Sequence, residues 1–151
     1  MNKRLIGVVA VVIIAGAGWY WTKSQTARNE SVATAPGTDA NETGAPLVDV
    51  VVPAQFSAQA QQGEVYYSAV CASCHGKNAA GQDGIAPPLV HKIYEPSHHG
   101  DGAFVMAARN GVRAHHWPFG NMPPVTQPLT DAELAAIIAY ARELQRANGI
   151  N

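Results

Sequence analysis

Cys71-Ala72-Ser73-Cys74-His75 is the stretch on which the reading of this chain turns. Two cysteines three apart lie on one face of a helical turn, so both thiols can add to vinyl groups of a single porphyrin. The histidine that follows is then delivered to the iron as proximal ligand. Other chemistries use the same spacing. A redox-active dithiol would sit in alternating strands and helices, and no such alternation surrounds residues 71–74. Zinc would need further thiol or imidazole ligands, and His91, His98, His99, His115 and His116 do not fall at finger spacings. With two cysteines in the whole chain, a disulfide scaffold and a four-cysteine zinc site are both excluded.

An electron-transfer haem with six ligands needs a second axial group, and a thioether raises the potential. Met122 sits in Gly120-Asn121-Met122-Pro123-Pro124, where prolines hold a loop in a restricted set of conformations. Met106 falls in Ala103–Ala108, which reads as a short helix in which methionine fills core space. Met122 is therefore the favoured ligand, with a bis-histidine iron through His115 or His116 as the rival.

Working outward, Ser57 to Val70 reads as a helix with a partial apolar stripe of Val65, Tyr66, Ala69 and Val70. Gly63 interrupts it at a helix-propensity cost of about 1 kcal/mol, which a close approach of another backbone would explain. Thr130-Asp131-Ala132-Glu133 has the form of a capping box. Behind it Leu134, Ile137, Ile138, Ala141 and Leu144 recur at helical intervals, and Gly149 is a natural stop. A terminal helix with one apolar stripe must bury it, and the Gly63 helix is the natural partner, with Tyr67 and Tyr140 meeting at the crossing.

At the N-terminus, Lys3 and Arg4 precede an uncharged run from Leu5 to Trp21. As a helix this run is roughly 25 Å long, a little short of a hydrocarbon core of about 30 Å, a gap that snorkelling lysines can close. Two readings stand. Trp19, Tyr20 and Trp21 suit the interfacial belt of a signal anchor, whereas Ala15-Gly16-Ala17 suits a signal-peptide cleavage site. Either way residues 1–21 direct export, placing the rest on the periplasmic side of the inner membrane, tethered if the segment is kept and soluble if it is cleaved. Residues 22–56 are rich in Ala, Thr, Ser, Pro and Gly and read as a flexible linker, although Leu47 to Val52 can also form an extended piece packed on the domain that follows at 57–151.

Taken together these residues resemble the class I c-type cytochromes. The resemblance runs from Gly63-x-x-x-Tyr67-x-x-x-Cys71-x-x-Cys74-His75, through Ala86-Pro87-Pro88-Leu89, to Met122-Pro123 and Ile137-Ile138-Ala139-Tyr140. It implies an all-α fold enclosing one haem c attached through Cys71 and Cys74, with His75 and Met122 on the iron. It also implies that the Pro87 carbonyl accepts a hydrogen bond from the far nitrogen of His75 and that Leu89 packs on the haem face. Two stretches depart from the family pattern, Tyr94–His99 and Val112–Trp117. Within the second, Arg113 and Trp117 carry donors that can reach haem propionates, with plain surface or core roles as the alternative.

The expected function is that of a non-enzymatic, monomeric electron carrier working between membrane complexes such as a quinol:cytochrome c oxidoreductase and a terminal oxidase. A haem enzyme or ligand sensor with an open distal position, and a fixed haem subunit of a larger respiratory complex, are the alternatives. Copper binding by His98, His99, His115 and His116 is a further one. The net charge of -1 provides no basic field for nucleic acid, and with Lys77 and Lys92 the only lysines of the domain, docking to acidic partners is weakly steered.

Overall fold

A computed structural model of the chain describes residues 44–151, so the Leu5–Trp21 segment and most of the expected linker lie outside the described residues. Among the described residues no helix is long and apolar enough to cross a membrane. The described part is all-α, with four helices: α1 (Ala58–Val70), α2 (Ala72–His75), α3 (Asp101–Asn110) and α4 (Asp131–Ala147). Short 3-10 turns at Lys77–Ala79 and Lys92–Tyr94 join them. The β-type pairing consists of two isolated bridges, Gln82 with Ala86 and Val112 with Met122.

The scaffold is the crossing of α1 and α4. Ser57 caps α1 by accepting from the Ala60 N–H at 3.2 Å, and the Ser57 hydroxyl donates to Glu143 on α4 at 2.7 Å, so cap and crossing share one residue. At Gly63 a Cβ would stand 1.9 Å from the Ala136 carbonyl oxygen, which makes glycine a requirement of the helix spacing. Tyr67 and Tyr140 meet at the expected place, ring centroids 5.4 Å apart, and Phe56 tilts against Tyr140 at 5.2 Å. The expected stripe on α1 is displaced. Ala60, Gly63 and Tyr67 are its buried residues, whereas Val65 is 60% exposed, because the small residues rather than the β-branched ones permit the close crossing.

On α4 the capping box is complete, with the Glu133 N–H donating to the Thr130 hydroxyl oxygen at 3.2 Å and the Thr130 N–H donating to the Glu133 carboxylate at 2.7 Å. Leu134, Ile137, Ile138, Ala141 and Leu144 are all buried as the periodicity requires, and two polar residues, Arg142 and Gln145, are buried beside them. Residues 44–56 form neither helix nor strand and are bonded to the domain. Leu47 and Val48 donate to the Ala80 carbonyl, and the Asn148 amide brackets the backbone of Val51 at 2.9 and 2.8 Å.

Two outcomes follow from these contacts. Gly63→Ala costs about 3 kcal/mol of overpacking and regains about 1 of helix propensity, for a net loss of about 2 kcal/mol in chemical denaturation of the haem-loaded protein. The two Thr130 donors hold the Glu133 carboxyl below its ordinary value. That stabilisation is present above the ordinary carboxylate range and lost as pH falls through the lowered value. The difference in Tm between the wild type and Glu133→Gln is therefore largest at neutral pH and narrows on acidification.

Candidate haem site

The chain emerges from α1 directly into the Cys71–His75 turn. His75 N–H donates to the Cys71 carbonyl at 2.9 Å and Cys74 N–H to the same oxygen at 3.2 Å, so both cysteines and the histidine ride on continuous helical backbone. A side chain not expected to matter clamps this turn. Gln82 Nε2 lies 3.3, 2.9 and 3.1 Å from the carbonyl oxygens of Ala72, Ser73 and Cys74. Three acceptors around one amide atom require it to be the nitrogen. Beyond the turn, Asn78 and Ala79 adopt φ of 54° and 60°. Asparagine tolerates the left-handed region, but Ala79 is strained there, at an order of 1 kcal/mol. The surroundings hold it: its side chain is fully buried and its carbonyl accepts from Leu89 and Val90.

His75 is 8% exposed, and its Nδ1 lies 2.9 Å from the Pro87 carbonyl oxygen. A carbonyl only accepts, so Nδ1 carries the proton and Nε2 holds the lone pair. Burial pushes the imidazole below its ordinary pKa, outweighing the upward pull of the Pro87 bond, and keeps the ring in the neutral form that binds metals. Burial, and secondarily Cys74, pushes the Cys71 thiol up to about 11. A redox dithiol needs the opposite shift, so the environment argues against that chemistry.

These groups open onto a cavity of about 370 Å³, within the range of about 300–1,000 Å³ usual for ligand sites. Its walls are mostly apolar and include Leu89, Phe104, Val112, Leu134, Ile137 and Ile138. Cys71, His75, Pro87, Leu89, Trp117 and Met122 all line it. Cys74 is exposed and stands outside the lining, one turn on from Cys71. Arg113 is also exposed and outside the lining, so of the two residues considered for propionates only Trp117 reaches the cavity.

Met122 is held by its backbone. It exchanges N–H to carbonyl bonds with Val112, both 2.9 Å, and the Ala114 N–H donates to the Asn121 side chain at 2.9 Å. Gly111 makes this possible: at φ 73°, a Cβ there would stand 2.5 Å from the Met122 carbonyl oxygen. Met106 lies on α3 as read from the sequence, but it is 61% exposed at the cavity rim rather than core filler. No residue of α3 is buried, since that helix packs with one face over the cavity.

Whether haem fits can be judged from the polar atoms present. The Trp117 indole N–H is buried and has no hydrogen-bond partner among the described residues. Burial raises the nearby Tyr94 phenol above its ordinary pKa, and the indole makes no hydrogen bond to it. A lone buried donor facing an apolar cavity is what an anionic group at the edge of a flat apolar cofactor would satisfy. The donor set of two thiols, one neutral imidazole and one thioether fits a c-type haem.

Residues 60–145, more than half of the chain, match the family model for cytochrome c. The chain belongs to the cytochrome c family. It therefore binds haem c covalently through Cys71 and Cys74, and its class of activity is haem-based electron transfer. It is also 32% identical over 93 residues to the Cbb3-type cytochrome c oxidase subunit CcoP of Azospirillum brasilense. That match covers 58% of this chain and 29% of the relative, so this cytochrome spans less than a third of the relative's length.

Removing the clamp tests how the attachment turn is held. Gln82→Ala in the haem-loaded cytochrome loses about 1–3 kcal/mol in denaturant unfolding, and Gln82→Glu loses more because a carboxylate then faces three carbonyl oxygens.

Proposed function

We propose that this cytochrome is an electron carrier whose haem iron is ligated by His75 and Met122, working on the periplasmic side of the inner membrane with a terminal oxidase as electron acceptor. The observation that carries the reading is the placement of Met122. It is the methionine whose backbone is pinned on both sides, and it lines the same cavity as His75. When bound, haem supplies a one-electron couple between ferric and ferrous iron.

The chain's own residues supply the constancy such a couple needs. Pro87 fixes the orientation of the His75 ring through Nδ1, and the Val112–Met122 bridge limits the travel of the thioether loop. Leu89, Leu134, Ile137 and Ile138 keep water from the cavity, which favours the less charged, reduced form. The Trp117 N–H offers one donor to a propionate. The oxidase as acceptor rests on the Azospirillum brasilense relative, an oxidase subunit by name. The uncharged Leu5–Trp21 run supports a tether to the membrane.

The same relative favours a second reading, in which the domain is a resident haem subunit of an oxidase assembly. Extraction of the full chain in mild detergent distinguishes the two: a lone species near 15.9 kDa plus bound detergent supports the carrier, and co-migration with an oxidase supports the subunit.

Iron ligation has a direct readout. The ferric protein shows the near-infrared sulfur-to-iron charge-transfer band, lost in Met122→Ala and kept in Met106→Ala. Met122→Ala also lowers the reduction potential by an amount on the order of a few hundred millivolts, within the ~0.8 V that axial ligands command. A band that survives in Met122→Ala removes the His75/Met122 assignment, and rapid carbon monoxide binding by the unmutated ferrous protein favours an open distal position instead.

A further inference from the structure

Four histidines from two separate loops pack together beside the cavity, His99, His115 and His116 in its lining and His98 against them, and nothing in electron transfer by a single haem requires them. His98 and His99 close a turn in which both backbone N–H groups donate to the Glu95 carbonyl, at 3.0 and 2.8 Å. His115 and His116 lie in the segment between the bridged residues Val112 and Met122. We propose that His98, His99 and His116 form a binding site for a divalent transition-metal ion of the zinc and copper class.

The spacing supports this directly. One ring nitrogen from each of the three lies within 4.8 Å of the others. The Nε2 atoms of His98 and His116 are 3.4 Å apart. Two nitrogens bound about 2.0–2.1 Å from a tetrahedral ion are roughly 3.3–3.4 Å from one another, so this pair already has ligand spacing. As a hydrogen bond between exposed rings the same contact is long and adds little. His98 and His116 are both exposed, and rotation of their side chains brings the third nitrogen into range.

His99 is set up as a ligand in advance. Its Nδ1 lies 2.7 Å from the Ile93 carbonyl oxygen, so it donates there and leaves the Nε2 lone pair for a metal. A second bond of this kind, from the far ring nitrogen to a carbonyl, is the usual support of a metal-bound imidazole. The backbone carbonyl of His99 is held by Arg142, itself 6% exposed, so the residue is anchored to α4. The His115 ring lies tilted at 48° against His116 with centroids 4.2 Å apart, and its Nδ1 is bonded to the Arg113 carbonyl. It therefore backs the site, and the fourth position is left to water. Imidazole nitrogen without thiolate or carboxylate suits zinc and copper over magnesium or calcium.

The site rests on the proposed His75/Met122 ligation only in that His116 must be free of the iron, and the Soret band reports separately on the iron. Zinc is the probe of choice because it has no redox chemistry to confuse with that of the haem. Full-length, haem-loaded protein is titrated with Zn2+ by calorimetry, with metal analysis after gel filtration and the Soret band recorded throughout. One equivalent of Zn2+ is expected, with the Soret band unmoved. His98→Ala and His116→Ala each weaken binding by at least about tenfold, since losing even a partner of a ligand costs that much, and the double variant abolishes it. Unchanged visible spectra and far-ultraviolet circular dichroism show that the variants fold. The proposal is overturned if the wild type takes up no Zn2+, or if the double variant binds it as the wild type does.

Discussion

Backbone atoms set the distance between α1 and α4. Where Gly63 meets the Ala136 carbonyl there is no side chain to yield, so the crossing is fixed at that point rather than cushioned. Everything the site needs is referred to that joint. Four residues past Gly63, Tyr67 lies on the same face, and its hydroxyl donates to the Gly76 carbonyl at 2.8 Å, just past the Cys71–His75 turn. Burial keeps that phenol well above its ordinary pKa, so the donor is constant. On the partner helix, Ile137 and Ile138 line the cavity while Tyr140 packs on Tyr67. One contact thus orients the attachment turn and one wall of the cavity together.

The other walls are tied to α4 by polar side chains that reach backbone far away in sequence. Arg142 bonds Asp101 at 2.8 Å, the Tyr94 carbonyl at 2.7 Å and the Gln145 side chain, and its guanidinium lies 4.8 Å from the centre of the Phe104 ring. Gln145 donates to the Leu89 carbonyl at 2.8 Å. Long connections without strand pairing have buried carbonyls that need partners, and each left unpaired costs about 1–3 kcal/mol. One arginine and one glutamine satisfy several of them, and in doing so fix the loops that carry Leu89 and His99.

The helices and the haem-binding turn were legible in the sequence because their signals are local: a capping box at Thr130, an apolar repeat from Leu134 to Leu144, a Cys-x-x-Cys-His run. Gly63 was legible for a different reason, being a residue costly where it stands unless something approaches it. Gln82, Arg142 and Gln145 were not legible. Their partners lie between 3 and 56 residues away and are largely backbone carbonyls, which carry no mark in the sequence. The stripe on α1 was misplaced by the same logic in reverse: hydrophobicity picks out Val65, but a crossing this close selects for small size, which Ala60 and Gly63 have. Arg113 and Trp117 stood equal by composition, and only the path of the loop separates an exposed guanidinium from a buried indole.

That loop also explains how a histidine pair and a thioether can share one segment without interfering. Its base is closed by the two Val112–Met122 backbone bonds, with Asn121 pinning Ala114 just inside it. The entropic cost of closing that base rises only with the logarithm of the loop's length, so residues at the tip add little to it. His115 and His116 project from this tip toward His98 and His99, with which their rings pack, while Met122 stays at the base in register with Val112. An ion bound at the tip would tie this loop to the 95–99 turn across the cavity rim. The thioether position would be unchanged, because the hydrogen bonds that set it lie on the other side of the closure.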